Sequence, residues 1–134
     1  MDNSWIWIFI GIFVAVDICI LVYVLSRQKR GFSLADKQRF LEHWKKIQTG
    51  ADKRHAIMDA DKLLDQMLAR RGYSGQLGDK LKRADKVFTD INGIWQAHKL
   101  RNRLAHELDF NVSPDEARKA LKQFEAAYRD LGLF

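Results

Sequence analysis

The sequence predicts an all-α protein: a single N-terminal transmembrane helix followed by a bundle of four to five helices. Three observations predict it. An unbroken apolar stretch opens the chain, apolar residues recur at helical spacing after it, and residue types that start and stop helices fall at the ends of those periodic runs. No stretch alternates apolar and polar residues as a half-buried strand does, and the chain has neither an internal repeat nor a low-complexity tract.

The apolar stretch runs from Trp5 to Leu25, 21 residues. As a helix rising ~1.5 Å per residue it matches a hydrocarbon layer of ~30 Å. A cleavable signal peptide would open on basic residues and close on a small-x-small site. Here the start carries Asp2, and the basic residues Arg27, Lys29 and Arg30 come after the stretch, followed by Lys37 and Arg39. The positive-inside bias then predicts a single-pass protein with its N-terminus outside and its C-terminal domain in the cytoplasm. Gly11, Ala15 and Cys19 recur every fourth residue as a stripe of small side chains, which lets helices approach closely. Asp17 falls near mid-bilayer, where an acid costs ~2.5–3.5 kcal/mol on insertion scales, so either it meets a partner or the surrounding Ile and Val outweigh it.

Charge divides the chain in the same place. The whole carries +6, the first 26 residues carry −2 through Asp2 and Asp17, and residues 27–134 therefore carry +8. Such a balance favours anionic partners. The only cysteine, Cys19, lies in the apolar stretch, which excludes a disulfide framework, a cysteine-based zinc site and a thiol nucleophile from the rest. The predicted organisation is an anchor over 1–26, a basic juxtamembrane linker over 27–32, and a helical domain over 33–134 large enough for one core.

Within that domain Gly31 breaks the chain, and Ser33 with Asp36 resembles a capping box opening a helix whose apolar stripe is Phe40, Leu41, Trp44 and Ile47. A second helix is predicted from about Asp52 to Arg71, with Ala56, Ile57, Ala60, Leu63, Leu64, Met67 and Leu68 on one face and Gly72 as its cap. Gly72 to Gly78 reads as a turn. A shorter helix follows over Asp79 to Phe88, then a fourth from about Ile91 to Leu108. The last has the clearest start: Ser113 as N-cap, Pro114 in the first turn and Glu116 as capping partner, with Ala117, Ala120, Leu121, Phe124, Tyr128 and Leu131 inward and Gly132 at its end.

The fourth helix carries the stretch His98-Lys99-Leu100-Arg101-Asn102-Arg103-Leu104-Ala105-His106. Advancing ~100° per residue, Ile94, Ala97, Leu104, Ala105 and Leu108 form one stripe with Arg101 at its centre. An arginine there must snorkel, pair with a carboxylate, or line a cleft or interface. Asp61, at the edge of the second helix's apolar stripe, is the carboxylate expected to meet it. His98, Asn102 and His106, spaced by four, line one flank beside Trp95. Arginine, asparagine and histidine grouped at the edge of an apolar surface suit the binding of a phosphate and the transfer of a proton, and a buried ion-pair network has the same signature.

Other chemistries lack their motifs. The four histidines are never three or four residues apart and no HExxH occurs, so no metal site is expected. Gly72, Gly75 and Gly78 follow no strand and precede no Gly-Lys-Ser/Thr, and no serine sits in a Gly-x-Ser-x-Gly elbow.

At Arg101-Asn102-Arg103-Leu104-Ala105-His106 the chain resembles the HEPN superfamily, whose signature is an arginine, usually followed by a polar residue, and a histidine a few positions on. The resemblance broadly covers residues 33–134 through the all-helical plan, and its specificity lies in those six residues. It implies an HEPN-like domain that dimerises, bringing two copies of the motif together as a metal-independent endoribonuclease site. Under it His106 is the proton-transfer group, Arg101 stabilises the charged phosphate, and Asn102 positions either the substrate or His106; the helix faces, rather than the resemblance, add Asp61 and His98 as supporting residues. No cofactor is expected, and the partners implied are RNA, a second copy and a protein partner or inhibitor. Many HEPN-like domains are inactive dimerisation or nucleic-acid-binding modules. The alternative is a non-catalytic membrane adaptor whose basic face meets a protein or anionic lipid, each juxtamembrane Lys or Arg contributing about 1 kcal/mol at such a surface.

Overall fold

The computed structural model describes residues 4–29 and 31–134, and of residues 27–29 the backbone alone. Among the described residues there are six α-helices, one 3₁₀ turn and no strand. The chain divides into two compact units, Met1–Arg30 and Gly31–Phe134.

The first unit is one helix, α1 (Ser4–Lys29), of which Ser4–Ser26 is long and apolar enough to cross a membrane. Every side chain from Ser4 to Ser26 is exposed, and a helix apolar all round is suited to lipid rather than to water. The helix runs on through residues 27–29, which the sequence reading assigns to the linker, because no breaker precedes Gly31. The side chains of Arg27, Lys29 and Arg30, on which the orientation rests, lie outside the described residues, as does Asp2. At ~100° per residue Asp17 stands about 200° from Ala15, so the acid and the small-residue stripe face opposite sides of α1.

The second unit is built around one central helix. Its members are α2 (Leu34–Thr49), α3 (Lys53–Arg70), α4 (Leu77–Arg83), α5 (Ile91–His106) and α6 (Pro114–Asp130), and α3 touches all four others. The periodicity explains why: α3 buries all seven of its expected apolar residues, and Asp61 with them. Phe40, Trp44 and Ile47 of α2 and Ala117, Ala120, Phe124 and Tyr128 of α6 close the core from two sides.

The helix ends follow their caps. The Ser113 hydroxyl accepts from the Glu116 N–H while Glu116 accepts from the Ser113 N–H, a complete capping box. At Ser33 only half of the box forms. The shorter Asp36 carboxylate takes the Ser33 hydroxyl at 3.0 Å instead of its backbone N–H. Gly72 and Gly132, at φ 92° and 82°, turn the chain out of α3 and α6 in the left-handed region.

The predicted helix over Asp79 to Phe88 is two pieces. α4 starts earlier, at Leu77, and a 3₁₀ turn covers Asp85–Val87. The Asp85 carboxylate accepts the Lys86 N–H at 2.7 Å, the local side-chain competition that draws a backbone out of α geometry. Lys80, only 5% exposed, was not foreseen as a buried cation. Its ammonium donates to the Asp65 carboxylate at 2.8 Å and to the Asp65 carbonyl at 3.2 Å, tying α4 to α3.

Tyr128 links core and site. Fully buried, it donates to the Ala60 carbonyl at 2.7 Å and stacks edge-on against Trp44. Burial pushes its phenol well above its ordinary value, and the nearby Asp61 charge adds to this. A phenol whose pKa is raised on folding stabilises the fold fully below the unfolded value of ~10 and loses that contribution as pH rises above it. Thermal midpoints should therefore fall more steeply above pH 10 in the wild type than in Tyr128→Phe, which has no phenol to ionise. Parallel midpoint-versus-pH curves for the two proteins would refute this.

Candidate functional site

The motif helix is held at both ends. At its start the Asp90 carboxylate caps the Gly93 N–H at 2.8 Å, and a Cβ at position 93 would strike Asp90 and meet Gln123, so only glycine leaves that cap undisturbed. At its end the Arg54 guanidinium, from the first turn of α3, donates to the carbonyls of Leu104 and Phe110. A cation on the last carbonyls of a helix is favourably placed. The contact also pins α5 to α3.

The buried arc of α5 runs through Gly93, Ile94, Ala97 and Leu104, with Leu100 partly buried. Ala105 and Leu108, which the sequence places in the stripe, are exposed: Ala105 lies in the last turn of α5, and Leu108 falls beyond its end, after Glu107 turns into extended backbone. With Gly93 and Leu100 in place of those two residues the centre of the arc moves by about 40°, and Arg101 stands about 50° from its middle, toward the edge. That edge faces α3.

There Asp61, 4% exposed, serves an imidazole and a guanidinium at once. His98 Nδ1 lies 2.7 Å from Oδ1, and Arg101 Nε lies 3.3 Å from Oδ2, in ion-pair range although the Nε–H is not aligned into a hydrogen bond. Arg101 Nη1 donates to Asn102 Oδ1 at 3.0 Å, and Asn102 Nδ2 lies 3.3 Å from His98 Nε2. Asp61, His98, Asn102 and Arg101 thus close a ring. The expected pairing of Asp61 with Arg101 is present, and His98 shares the same carboxylate.

The ring's donors and acceptors follow from one fact. A guanidinium only donates, so the Asn102 atom facing it is the oxygen, and the amide NH₂ faces His98. His98 Nε2 must then accept, and its proton sits on Nδ1, facing Asp61.

All four ring members line an open cleft of about 1050 Å³ between α3, α5 and the turn before α4. His106 lines it too, from the last turn of α5, exposed. The sequence-derived site residues Arg101, Asn102, His106, His98 and Asp61 therefore share one cleft. Asn102 contacts Arg101 and His98, and among the described residues no bond joins it to His106.

The rest of the lining escaped the sequence reading. Lys62, Asp59 and Met58 come from α3, and Gly75, Gln76, Leu77 and Gly78 from the turn and the start of α4. Gly75, at φ 98°, makes the turn possible, and Gly78 lies against the Trp95 ring, 3.6 Å from where a Cβ would stand, an ordinary contact distance. The Gly-x-x-Gly-x-x-Gly spacing was the available signal, readable as a cap and turn but not as the far side of a site. Trp95 in turn touches His98 edge-on, at 5.9 Å between ring centres.

Compared with known proteins, the chain matches no family model, no curated protein and no solved structure.

Proposed function

We propose that the protein is a membrane-anchored, HEPN-like effector that acts as a homodimer and cleaves RNA without a metal, α1 spanning the bilayer and the helical unit lying in the cytoplasm. The observation that carries this reading is the convergence of Arg101, Asn102, His98 and His106 on one open cleft, braced from beneath by Asp61.

The chemistry asks little of the protein. RNA supplies its own nucleophile, the 2′-hydroxyl, next to the phosphorus it attacks, so acid-base help and charge stabilisation suffice. The Arg101 side chain, 32% exposed, turns part of its fork to the cleft, where it meets a phosphate. His106, exposed at the same opening, transfers a proton. Of the three acids that line the cleft, Asp61 is paired with Arg101 and Asp65 with Lys80, while Asp59 is exposed at its mouth beside Lys62 in the same lining. The charge of +8 over residues 27–134 supplies the sequence-independent attraction to RNA.

The test uses the full chain in lipid nanodiscs, incubated in EDTA with end-labelled single-stranded RNA at low and high salt. Cleavage at low salt that weakens as salt rises is the expected result. RNA bound but intact would reduce the reading to a binding module. Neither binding nor cleavage, with capture by anionic vesicles instead, would replace it with the adaptor.

A further inference from the structure

Resting on the reading just given, we infer that His98 is the general base of the cleavage and His106 its general acid, so that one protomer carries both proton-transfer groups. Transesterification at RNA needs two proton movements on opposite sides of one phosphorus. The 2′-hydroxyl must lose a proton and the departing 5′-oxygen must gain one. A motif with a single histidine provides for one of them.

His98 has the geometry of a held base. Its Nδ1–H is fixed by a carboxylate that is 4% exposed, which sets the tautomer and orients the ring, the arrangement by which an acidic residue keeps an imidazole ready to accept at Nε2. Among the described residues the lone pair on Nε2 is opposed by the Asn102 NH₂ alone, at a long 3.3 Å. A hydroxyl donating to Nε2 replaces a weak contact with a better one. The His98 side chain is 14% exposed and lines the cleft, so it is reachable from it. Edge contact with Trp95 holds the ring on its other side.

His106 stands on the far side of the phosphate-binding pair. Eight residues at ~1.5 Å place its Cα about 12 Å along the helix from that of His98, with Arg101 and Asn102 between them. Helical Cα–Cβ bonds tilt toward the N-terminus, so Asn102 leans back onto His98 and His106 leans back toward Asn102, and the two imidazoles keep about that spacing along the one cleft they both line. Under this assignment a phosphate seated on Arg101 meets His98 toward the start of the helix and His106 toward its end.

The step balances within these groups. His98 Nε2 takes the 2′-hydroxyl proton, the 2′-oxygen bonds to the adjacent phosphorus, the bond from phosphorus to the 5′-oxygen breaks, and His106 gives its proton to that oxygen. A 2′,3′-cyclic phosphate and a 5′-hydroxyl leave, and solvent returns each imidazole to its starting state.

The experiment compares ordinary RNA with RNA carrying a bridging sulfur in place of the scissile 5′-oxygen, using the full chain in nanodiscs. A thiolate leaves without protonation, so sulfur relieves the need for an acid and not for a base. On the sulfur substrate the wild type should lose the alkaline limb of its rate profile and keep the acidic limb. His106→Ala should fall at least ~10²-fold on RNA and return to within tenfold of wild type on the sulfur substrate. His98→Asn still donates to Asp61, preserving the structural role, and should fall at least ~10²-fold on both substrates with loss of the acidic limb. His98→Gln is the second variant should His98→Asn melt early. Wild-type-like cleavage by a folded His98 variant, or its rescue by sulfur, overturns the assignment while leaving the nuclease reading intact. Activity regained on mixing the His98 and His106 variants shows the two groups to act across protomers, which also overturns it. A wild type inert on both substrates removes this proposal together with the reading beneath it.

Discussion

Arg101→Ala should lower kcat for the proposed RNA cleavage by about 10²–10³-fold, the usual consequence of removing one donor aimed at developing charge. KM should change far less, because the surrounding positive surface still holds the substrate. Arg101→Lys should recover less than a tenth of the lost rate. The guanidinium reaches three directions at once, toward Asp61, toward Asn102 and into the cleft. An ammonium is a point charge on a flexible stem and cannot bridge Asp61 and Asn102 while also meeting a phosphate. Steady-state kinetics on the three proteins, each with its melting curve, separates this from unfolding. Full activity in folded Arg101→Lys would mean that charge alone matters there and that the ring has no part in the chemistry.

Much of this arrangement was legible in the sequence, for reasons that differ by residue. The face of α3 was readable because seven apolar residues keep one period without interruption, and α6 because Ser113, Pro114 and Glu116 mark its start. Arg101 drew attention because a cation broke an apolar pattern, and Asp61 because it was the acid nearest such a pattern. What failed was the end of α5. Ala105 and Leu108 have the right spacing, but spacing does not say where a helix stops, and nothing local announces the extended turn at Glu107. Arg54, which secures that end, lies about fifty residues away in sequence. Lys80 was invisible for the same reason: its burial depends on a carboxylate of another helix, and a lysine amid polar neighbours looks solvated until α4 is packed on α3. His98 was placed on the correct flank, but its bond to Asp61 required the separation of α3 and α5, which no one-dimensional pattern contains.

The other large effect falls on stability. Asp61→Ala removes the carboxylate on which both His98 and Arg101 rest, leaving a guanidinium and an imidazole donor side by side without their acceptor. Breaking a buried pair from one side costs ~3–5 kcal/mol, and the partial exposure of Arg101 puts the expected loss near the lower figure. In a domain of about a hundred residues that is a fall of roughly 12–24 °C in the thermal midpoint. Asp61→Asn should lose less, since its oxygen can still accept the His98 Nδ1–H while the charge opposite Arg101 is gone. Replacing the group as a whole, with Asp61→Leu, His98→Leu and Arg101→Met together, should recover most of the loss, because apolar residues of similar volume need no acceptor. That triple variant separates stability from chemistry: it should melt near the wild type and cleave nothing. A loss below about 1 kcal/mol in Asp61→Ala would show water already supporting Arg101 and His98, and the carboxylate would not then be what aims them into the cleft.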